Sequence, residues 1–536
     1  MEEIQSYGGT GMFRKKLTIM VLVSILLTGC LTGCGAQVAE AEQEREEAPL
    51  QTMEEDPDLS YEVPVSAPHI LVNQLGYITQ STKIAVFCGS QLPDRFEVID
   101  ADTGKTVYTG KPEKRESQDS CTDEIGYGDF SQVELPGKYY IEAPLLGDSY
   151  SFQIADNLYD DVLKEAVKQY YYNRCGITLT EEFAGSRAHN ACHTGHALLR
   201  EDISVSMDVS GGWHQDENGS KDVVRAAENI SVMLLAYELF GESFTDTMDV
   251  PESGNGIPDL LDEIRYETDW LLKMQDQKTG AVYAKVTVPA STQGKPSAVY
   301  VEPPSMEAAE GFAMCLARFS YLYQDYDREY AITCLKAAER AFKYALVNQT
   351  DDAQDSWRFA AAAELYRASG QQECRYYLEK YLEEELKNEQ EQEQEGDLPC
   401  FLGSVTYLMT RRTVNREYCS ECIVRLLQRA ETLSAQMKKE PFYVQANEDQ
   451  TNHSELLQKM LWMATVNYII TNHEYETIIE NHLHYFMGRN KLSISYIDDV
   501  GIRNYKDYNE SLGIMNQFDA DSRLIFMLGE IISNYE

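Results

Sequence analysis

Val250–Gln275 reads VPESGNGIPDLLDEIRYETDWLLKMQ. Its first part is turn chemistry, with Pro251, Ser253, Gly254, Asn255 and Gly256 close together. Pro258 then stands where a helix tolerates proline, in the first turn, and Asp259, Asp262 and Glu263 place acids early. Leu260, Leu261, Ile264, Trp270 and Leu271 recur at helical spacing. The stretch predicts an amphipathic helix entered through a tight turn. Its oxygen-bearing side chains are also of the kind Ca²⁺ takes. Turn making and capping account for them, and no calcium is assigned.

The same period continues on both sides. Apolar-periodic segments begin near Asp156, Lys221, Pro258, Ser305, Arg328, Asp351, Gln371, Pro399, Asn415, Asn452, Glu474 and Phe518. No short internal repeat joins them, which argues against a solenoid. About twelve helices between residues 156 and 536 suit a closed barrel of six helical hairpins. KNEQEQEQEGD (Lys387–Asp397) interrupts the series and reads as a solvated loop.

Upstream the period changes. HILVNQLGY, KIAVFCG, RFEVIDA, KTVYTG, FSQVEL, KYYIEA and YSFQIA are short runs rich in β-branched and aromatic residues, separated by turns such as ADTGK and LPGK. They predict a small β-sandwich over residues 67–155.

The N-terminus carries a targeting signal. FRKK (Phe13–Lys16) is basic, and LTIMVLVSILLTG (Leu17–Gly29) is an apolar run of signal-peptide length, too short for a membrane span. LTGC occurs twice, ending at Cys30 and at Cys34. Both resemble the lipobox whose cysteine bacteria lipidate; the alternative is an ordinary signal peptide. The expected segments are a signal peptide with lipobox over residues 1–34, with its start at Met12, and a tether over residues 35–66. That tether holds ten Asp or Glu against one Arg, too little apolar surface to order itself. These features place the protein outside a bacterial cell, anchored to the membrane by lipid.

The chain has 536 residues, 43% of them hydrophobic, enough for a large core. Its net charge of −42 excludes nucleic acid, which needs Lys and Arg clusters, and excludes electrostatic docking on anionic lipid. Ten cysteines lie beyond the two lipoboxes, too dispersed for a disulfide framework.

Several blocks converge on one family. LVNQLGYITQSTKIAVF (Leu71–Phe87) resembles the opening of the immunoglobulin-like domain that precedes many glycoside hydrolase family 9 catalytic domains. Val250–Gln275 resembles that family's second helical hairpin. AAAELYRASG (Ala361–Gly370) and YFMGRNKLSISY (Tyr485–Tyr496) are similar to two further blocks, in the expected order. DVSGGWH (Asp208–His214) resembles the lead-in to its catalytic loop. The resemblance covers about residues 68–536 and implies a mainly α fold, an (α/α)6 barrel preceded by a small immunoglobulin-like β-sandwich. It also implies inverting hydrolysis of β-1,4-glucans.

Inverting hydrolysis needs two carboxyl groups roughly 6.5–9.5 Å apart, one to deprotonate a water and one to protonate the leaving oxygen. In the family the loop continues from Gly-Gly-Trp to two aspartates and a lysine. Here Gly211, Gly212 and Trp213 match at one end, and Lys221 and Val223 at the other, with no gap. The aspartate positions fall on Gln215 and Asn218. Counting back from LIFML (Leu524–Leu528), the acid position falls on Met515. The family's His-Arg segment is not recognisable in IDDVGIRNYKDYNES. An amide or a thioether cannot exchange the proton, and loss of one such group costs about a hundred- to ten-thousandfold in rate. Asp216, Glu217, Asp222, Glu510, Asp519 and Asp521 are the neighbouring carboxylates.

Some members of the family hold a structural zinc with two Cys and two His. Cys175, Cys192, His193 and His214 fit those motifs one by one, and two thiolates with two imidazoles suit closed tetrahedral Zn²⁺. The alternative is a Cys175–Cys192 disulfide. Trp213 is the candidate to stack on a sugar, with Trp357 a second. Three functions stand open: a hydrolytically impaired protein that binds β-glucan or a related polysaccharide, an active glycosidase with displaced carboxylates or an altered substrate, and a surface scaffold that binds no sugar.

Overall fold

The computed structural model describes residues 67–115, 124–290, 298–349, 356–385, 398–445, 453–515 and 517–535. Cys30, Cys34, the acidic stretch 35–66 and the loop 387–397 lie outside the described residues.

The N-terminal region forms two facing sheets. One runs in the order Ile70–Leu71, Ile84–Gly89, Glu124–Asp129, Glu113–Arg115. The other runs Gly76–Tyr77, Phe152–Ile154, Gly137–Ala143, Phe96–Asp100, Thr106–Gly110. Alternation places the core: Tyr139, Ile141 and Ala143 are buried, while Glu142 is exposed. Phe87 from one sheet joins Phe96, Val98, Ile141 and Phe152 from the other in one cluster. Two readings from sequence are corrected. FSQVEL is not a strand: Val133 N–H closes a turn on the Phe130 carbonyl at 2.9 Å, and Asp129 Oδ1 accepts from Ser131 N. The strand is the preceding Glu124–Asp129. HILVNQLGY is not one strand but two, one in each sheet.

The residues between those two strands dock the β region onto the helices. Asn73 Nδ2 lies 3.1 Å from His484 Nδ1. Gln74 Nε2 donates to the Ser493 carbonyl at 2.8 Å, and Gln74 Oε1 accepts from the Ile502 and Arg503 amides, both at 2.9 Å. Arg489 in turn donates to the Ile84 carbonyl at 3.1 Å. LVNQLGY and GRN, two of the blocks that carry the resemblance, therefore meet in space.

From Asp160 onward the described residues hold twelve helices of twelve residues or more. Val223–Phe240 packs on Met306–Tyr323 and on Phe518–Tyr535. Met306–Tyr323 packs on Ser356–Ser369, which packs on Leu398–Met409, and His453–Ile469 packs on Phe518–Tyr535. These helices are buried over most of their surface. Arg328–Asn348 instead buries only a stripe, Ala331, Cys334, Ala337, Ala338, Ala341, Phe342 and Ala345, and belongs to an outer layer.

AAAELYRASG has a structural reason. Arg318 donates to Glu364 and Glu238 at 2.8 Å each, and Arg367 donates to the same two acids at 2.7 Å each. The four side chains close a ring of alternating charge inside the helical core, so each charge is compensated twice. A small sheet that sequence did not anticipate runs Ser206–Met207, Ala197–Leu199, Tyr300–Val301, Lys285–Thr287, Lys221–Asp222. Its last strand ends the loop that begins at Gly211.

Candidate functional site: the altered loop, its cavity and a Cys/His cluster

The loop Gly211–Asp222 starts on the helix Asp259–Lys273. Gly212 has φ +73, and a Cβ there would lie 2.7 Å from the Trp270 ring, so only glycine fits. That close approach drops Trp213 into the core. Its amide donates to Glu267 Oε2 at 2.6 Å and its indole N–H to Glu263 Oε1 at 2.7 Å. Glu263 also pairs with Arg174 at 2.9 Å. Trp213 is 0% exposed, which corrects its expected place against a sugar.

Gln215, two residues on, lies in the wall of a cavity. Its Nε2 donates to the Asp222 carbonyl at 3.0 Å, and its Oε1 accepts from the Asp222 amide at 2.9 Å. The side chain thus joins the two ends of the loop as a strand partner would. Asp216 Oδ1 accepts from the Asn218 and Ser220 amides, both at 2.9 Å. Burial pushes the Asp216 carboxyl up, but these hydrogen bonds outweigh it and hold the group below the usual carboxylate range. Asn218 is exposed. Asp222 caps the helix Val223–Phe240, accepting from Val224 N at 3.0 Å.

Gln215, Asp216, Glu217, Met515, Asp519 and Asp521 line one cavity of about 610 Å³. Gln215 and Met515, where the resemblance expects a base and the acid, line the same cavity with an amide and a thioether. Asn218 is not among its lining residues. Asp519 is held by Arg225 Nε at 2.8 and 2.9 Å and by Asn229 at 2.9 Å. Asp521 is buried, and its Oδ1 has no hydrogen-bond partner. Burial pushes its carboxyl well above the usual range, and Glu165 and Asp498 add to that.

A second cavity of about 780 Å³ adjoins the first, sharing Tyr172, Arg187 and Met515. Its walls include Glu165 and Asp498. Sequence reasoning missed Arg187, Glu165 and Asp498. They come from separate segments, and no motif spacing joins them.

Cys175, Cys192, His193 and His214 come together as expected, with one ligand atom from each within 4.8 Å of the others. Cys192 Sγ lies 3.4 Å from His214 Nε2, and Cys175 Sγ lies 3.8 Å from His193 Nδ1. The Cys175 and Cys192 thiols are free in this structure. The hydrogen bond from Cys175 holds the Cys192 thiol well below its ordinary range, against the opposing effect of burial. Two sulfurs and two ring nitrogens converging at these distances can hold a metal ion. The loop leans on the cluster: Gly219, at φ +87, would place a Cβ 2.6 Å from His193 Cε1. By contrast, the PESGNGIPD turn is held by hydrogen bonds to two aspartates, Asp246 before it and Asp259 at its end. Asp246 accepts from Gly254 N at 2.6 Å and Gly256 N at 2.7 Å, and Asp259 accepts from Ser253 Oγ at 2.7 Å.

Comparison with known proteins matches residues 159–510 to the model of glycosyl hydrolase family 9, and residues 65–147 to that of the cellulase N-terminal Ig-like domain. The chain is 29% identical over 480 residues to a cellodextrinase of Butyrivibrio fibrisolvens, covering 82% of this chain and 86% of that protein. In structure it is similar to a Bacteroides ovatus GH9 protein, with a TM-score of 0.77 and 24% identity over 87% of this chain and 99% of the other. It is also similar to a Zn-binding triple mutant of the GH family 9 endoglucanase J30, with a TM-score of 0.74 and 23% identity over 85% of this chain and 99% of the other.

Proposed function

The chain belongs to glycosyl hydrolase family 9, and from that premise we propose a cell-surface lipoprotein that binds a β-glucan or related polysaccharide without the family's inverting hydrolysis. The observation that carries this reading is Gln215. Its amide is engaged with the Asp222 main chain on both sides, so it neither takes a proton from water nor is free to orient one. Met515, in the acid position, has no proton to give to a leaving oxygen. Three of the neighbouring carboxylates are engaged elsewhere: Asp216 braces the turn, Asp222 caps a helix and Asp519 pairs with Arg225, while Glu217 and Asp521 remain in the cavity wall.

The remaining assignments follow the same premise. The helices fit an (α/α)6 barrel of six hairpins over residues 156–536, with the β-sandwich over residues 67–155. Residues 1–34 serve as signal peptide with lipidation at Cys30 or Cys34, and the acidic stretch 35–66 spaces the folded part from the membrane. Zinc is the metal assigned to Cys175, Cys192, His193 and His214. Four protein ligands leave no open position, so the ion would contribute folding stability and not chemistry. Cys175 and His214 flank the start of the loop, which the ion would tie to the helical domain.

The deciding experiment pairs calorimetry with product analysis on cello-oligosaccharides, for the wild type and for Gln215→Asp, Asn218→Asp and Met515→Glu combined. Binding without hydrolysis in the wild type, with hydrolysis gained in the combined variant, is the expected result. Reducing ends released by the purified wild type would overturn the reading. Absence of binding to any β-glucan would favour a scaffold.

A further inference from the structure

Of the acids in the two adjoining cavities, Glu165 accepts from Gln169 at 2.8 Å and Asp498 pairs with Lys506 at 3.3 Å, whereas Asp521 forms no ion pair among the described residues. The cations of the cavity walls are already engaged: Lys168 with Asp249 at 2.8 Å, Arg225 with Asp519 at 2.8 Å, and Arg187 with Gln169 at 2.6 Å and Asp498 at 3.6 Å. Glu165, Asp498 and Asp521 converge there from three separate segments. Asp521 is 2% exposed, and its Oδ1 meets no donor. A buried carboxyl without a partner is costly, and a positioned cation relieves that cost.

Few aromatic faces are open to stack on a neutral sugar here, Phe183 in the larger cavity being half-buried. Trp213 and Tyr170 are wholly buried. The face of Tyr172 is occupied by the Arg187 guanidinium at 4.5 Å. Phe518 is 9% exposed. An acidic sugar would meet like charge on entering.

We propose that this double cavity recognises an amine-bearing glycan, a β-linked chain with free ammonium groups on its rings, with Asp521 as the acceptor of one ammonium. The proposal rests on the polysaccharide-binding reading and names the ligand class. Glu165 and Asp498 deepen the negative potential around Asp521, and the apolar Met515 borders both cavities. Because burial favours the neutral form of Asp521 in the empty cleft, an arriving ammonium stabilises the carboxylate and a proton leaves to solvent.

The test is calorimetric titration of the full chain with four probes: a β-1,4-linked glucosamine hexamer, its fully N-acetylated form, cellohexaose, and spermine. Mildly acid buffer keeps the sugar amines charged. The glucosamine hexamer is expected to bind about tenfold or more tighter than the other three, with affinity that falls on adding salt. Its binding heat should vary with the ionisation enthalpy of the buffer, which reports the released proton. Asp521→Asn should lower that affinity about tenfold and remove the dependence of the binding heat on the buffer. If Asp521→Asn does not fold, Glu165→Gln and the salt dependence of the wild type decide, both weakening the same probe. Equal affinity for cellohexaose would overturn the amine assignment and leave polysaccharide binding standing. Equal affinity for spermine would reduce the cleft to a cation trap and overturn it as well. No binding to any oligosaccharide would overturn both readings.

Discussion

Gln215 and Asp222 hold each other through a reciprocal pair of hydrogen bonds, 3.0 Å from the side-chain amide to the main-chain carbonyl and 2.9 Å from the main-chain amide back. The glutamine is therefore more than a carboxylate that lost its charge. It fastens the loop, and the fastening needs a donor that a carboxylate lacks.

Gln215→Asp alone should consequently fail to restore hydrolysis. Aspartate is shorter and cannot donate, so the Asp222 carbonyl loses its partner. A loss of about 1–3 kcal/mol is expected, read as a lower urea midpoint, with no reducing ends released from cellohexaose.

Gly219→Ala should expel the metal without touching a ligand. The added methyl needs the space of His193 Cε1, 2.6 Å away, at a backbone angle that L-residues rarely adopt. Elemental analysis of the wild type should find about one zinc per chain, and of this variant much less. Chelation of the wild type should lower the melting temperature by roughly 5 °C or more.

Glu364→Ala breaks the buried ring. Arg318 and Arg367, each 1% exposed at the side chain, would lose a partner at 2.8 and 2.7 Å. The expected cost is about 3–5 kcal/mol, measured by denaturant unfolding. Glycan binding, where the variant folds, should persist, because the ring does not line either cavity.

Stability should fall in mild acid through His453. Burial lowers its pKa from 6.5 to about 4. Between those values the unfolded chain takes up a proton that the folded chain refuses, so stability is full above pH 6.5 and is lost as the pH falls toward 4. The contribution is as much as about 3 kcal/mol. His453→Phe keeps a ring against Tyr496, now 4.4 Å from the histidine, and should flatten that part of the pH profile.

Much of this architecture was legible in short blocks because each block is built around a contact the fold requires. Glycine at 212 allows the approach to Trp270, Glu364 and Arg367 build the charge ring, and Gln74 ties the two regions together. The register of the altered loop could be read because Gly-Gly-Trp and Lys221 fix both ends. Burial was less legible. Trp213 looks like a sugar platform until Glu263 and Glu267, in the stretch that predicted the helix, claim its two N–H groups. The acidic cleft walls had no signature, since Glu165, Asp498 and Asp521 are neighbours only after folding. FSQVEL has strand composition, yet Asp129 turns the chain there.

The docking of Asn73 and Gln74 has a practical corollary. Gln74 fills hydrogen-bonding positions on the segment Ser493–Arg503, which carries Asp498 into the cleft wall. The β-sandwich is thus no detachable cassette. A shortened protein beginning at residue 156 would leave those main-chain groups without partners and deform the wall from behind, and chimeras that exchange the N-terminal module must carry the Asn-Gln pair with it.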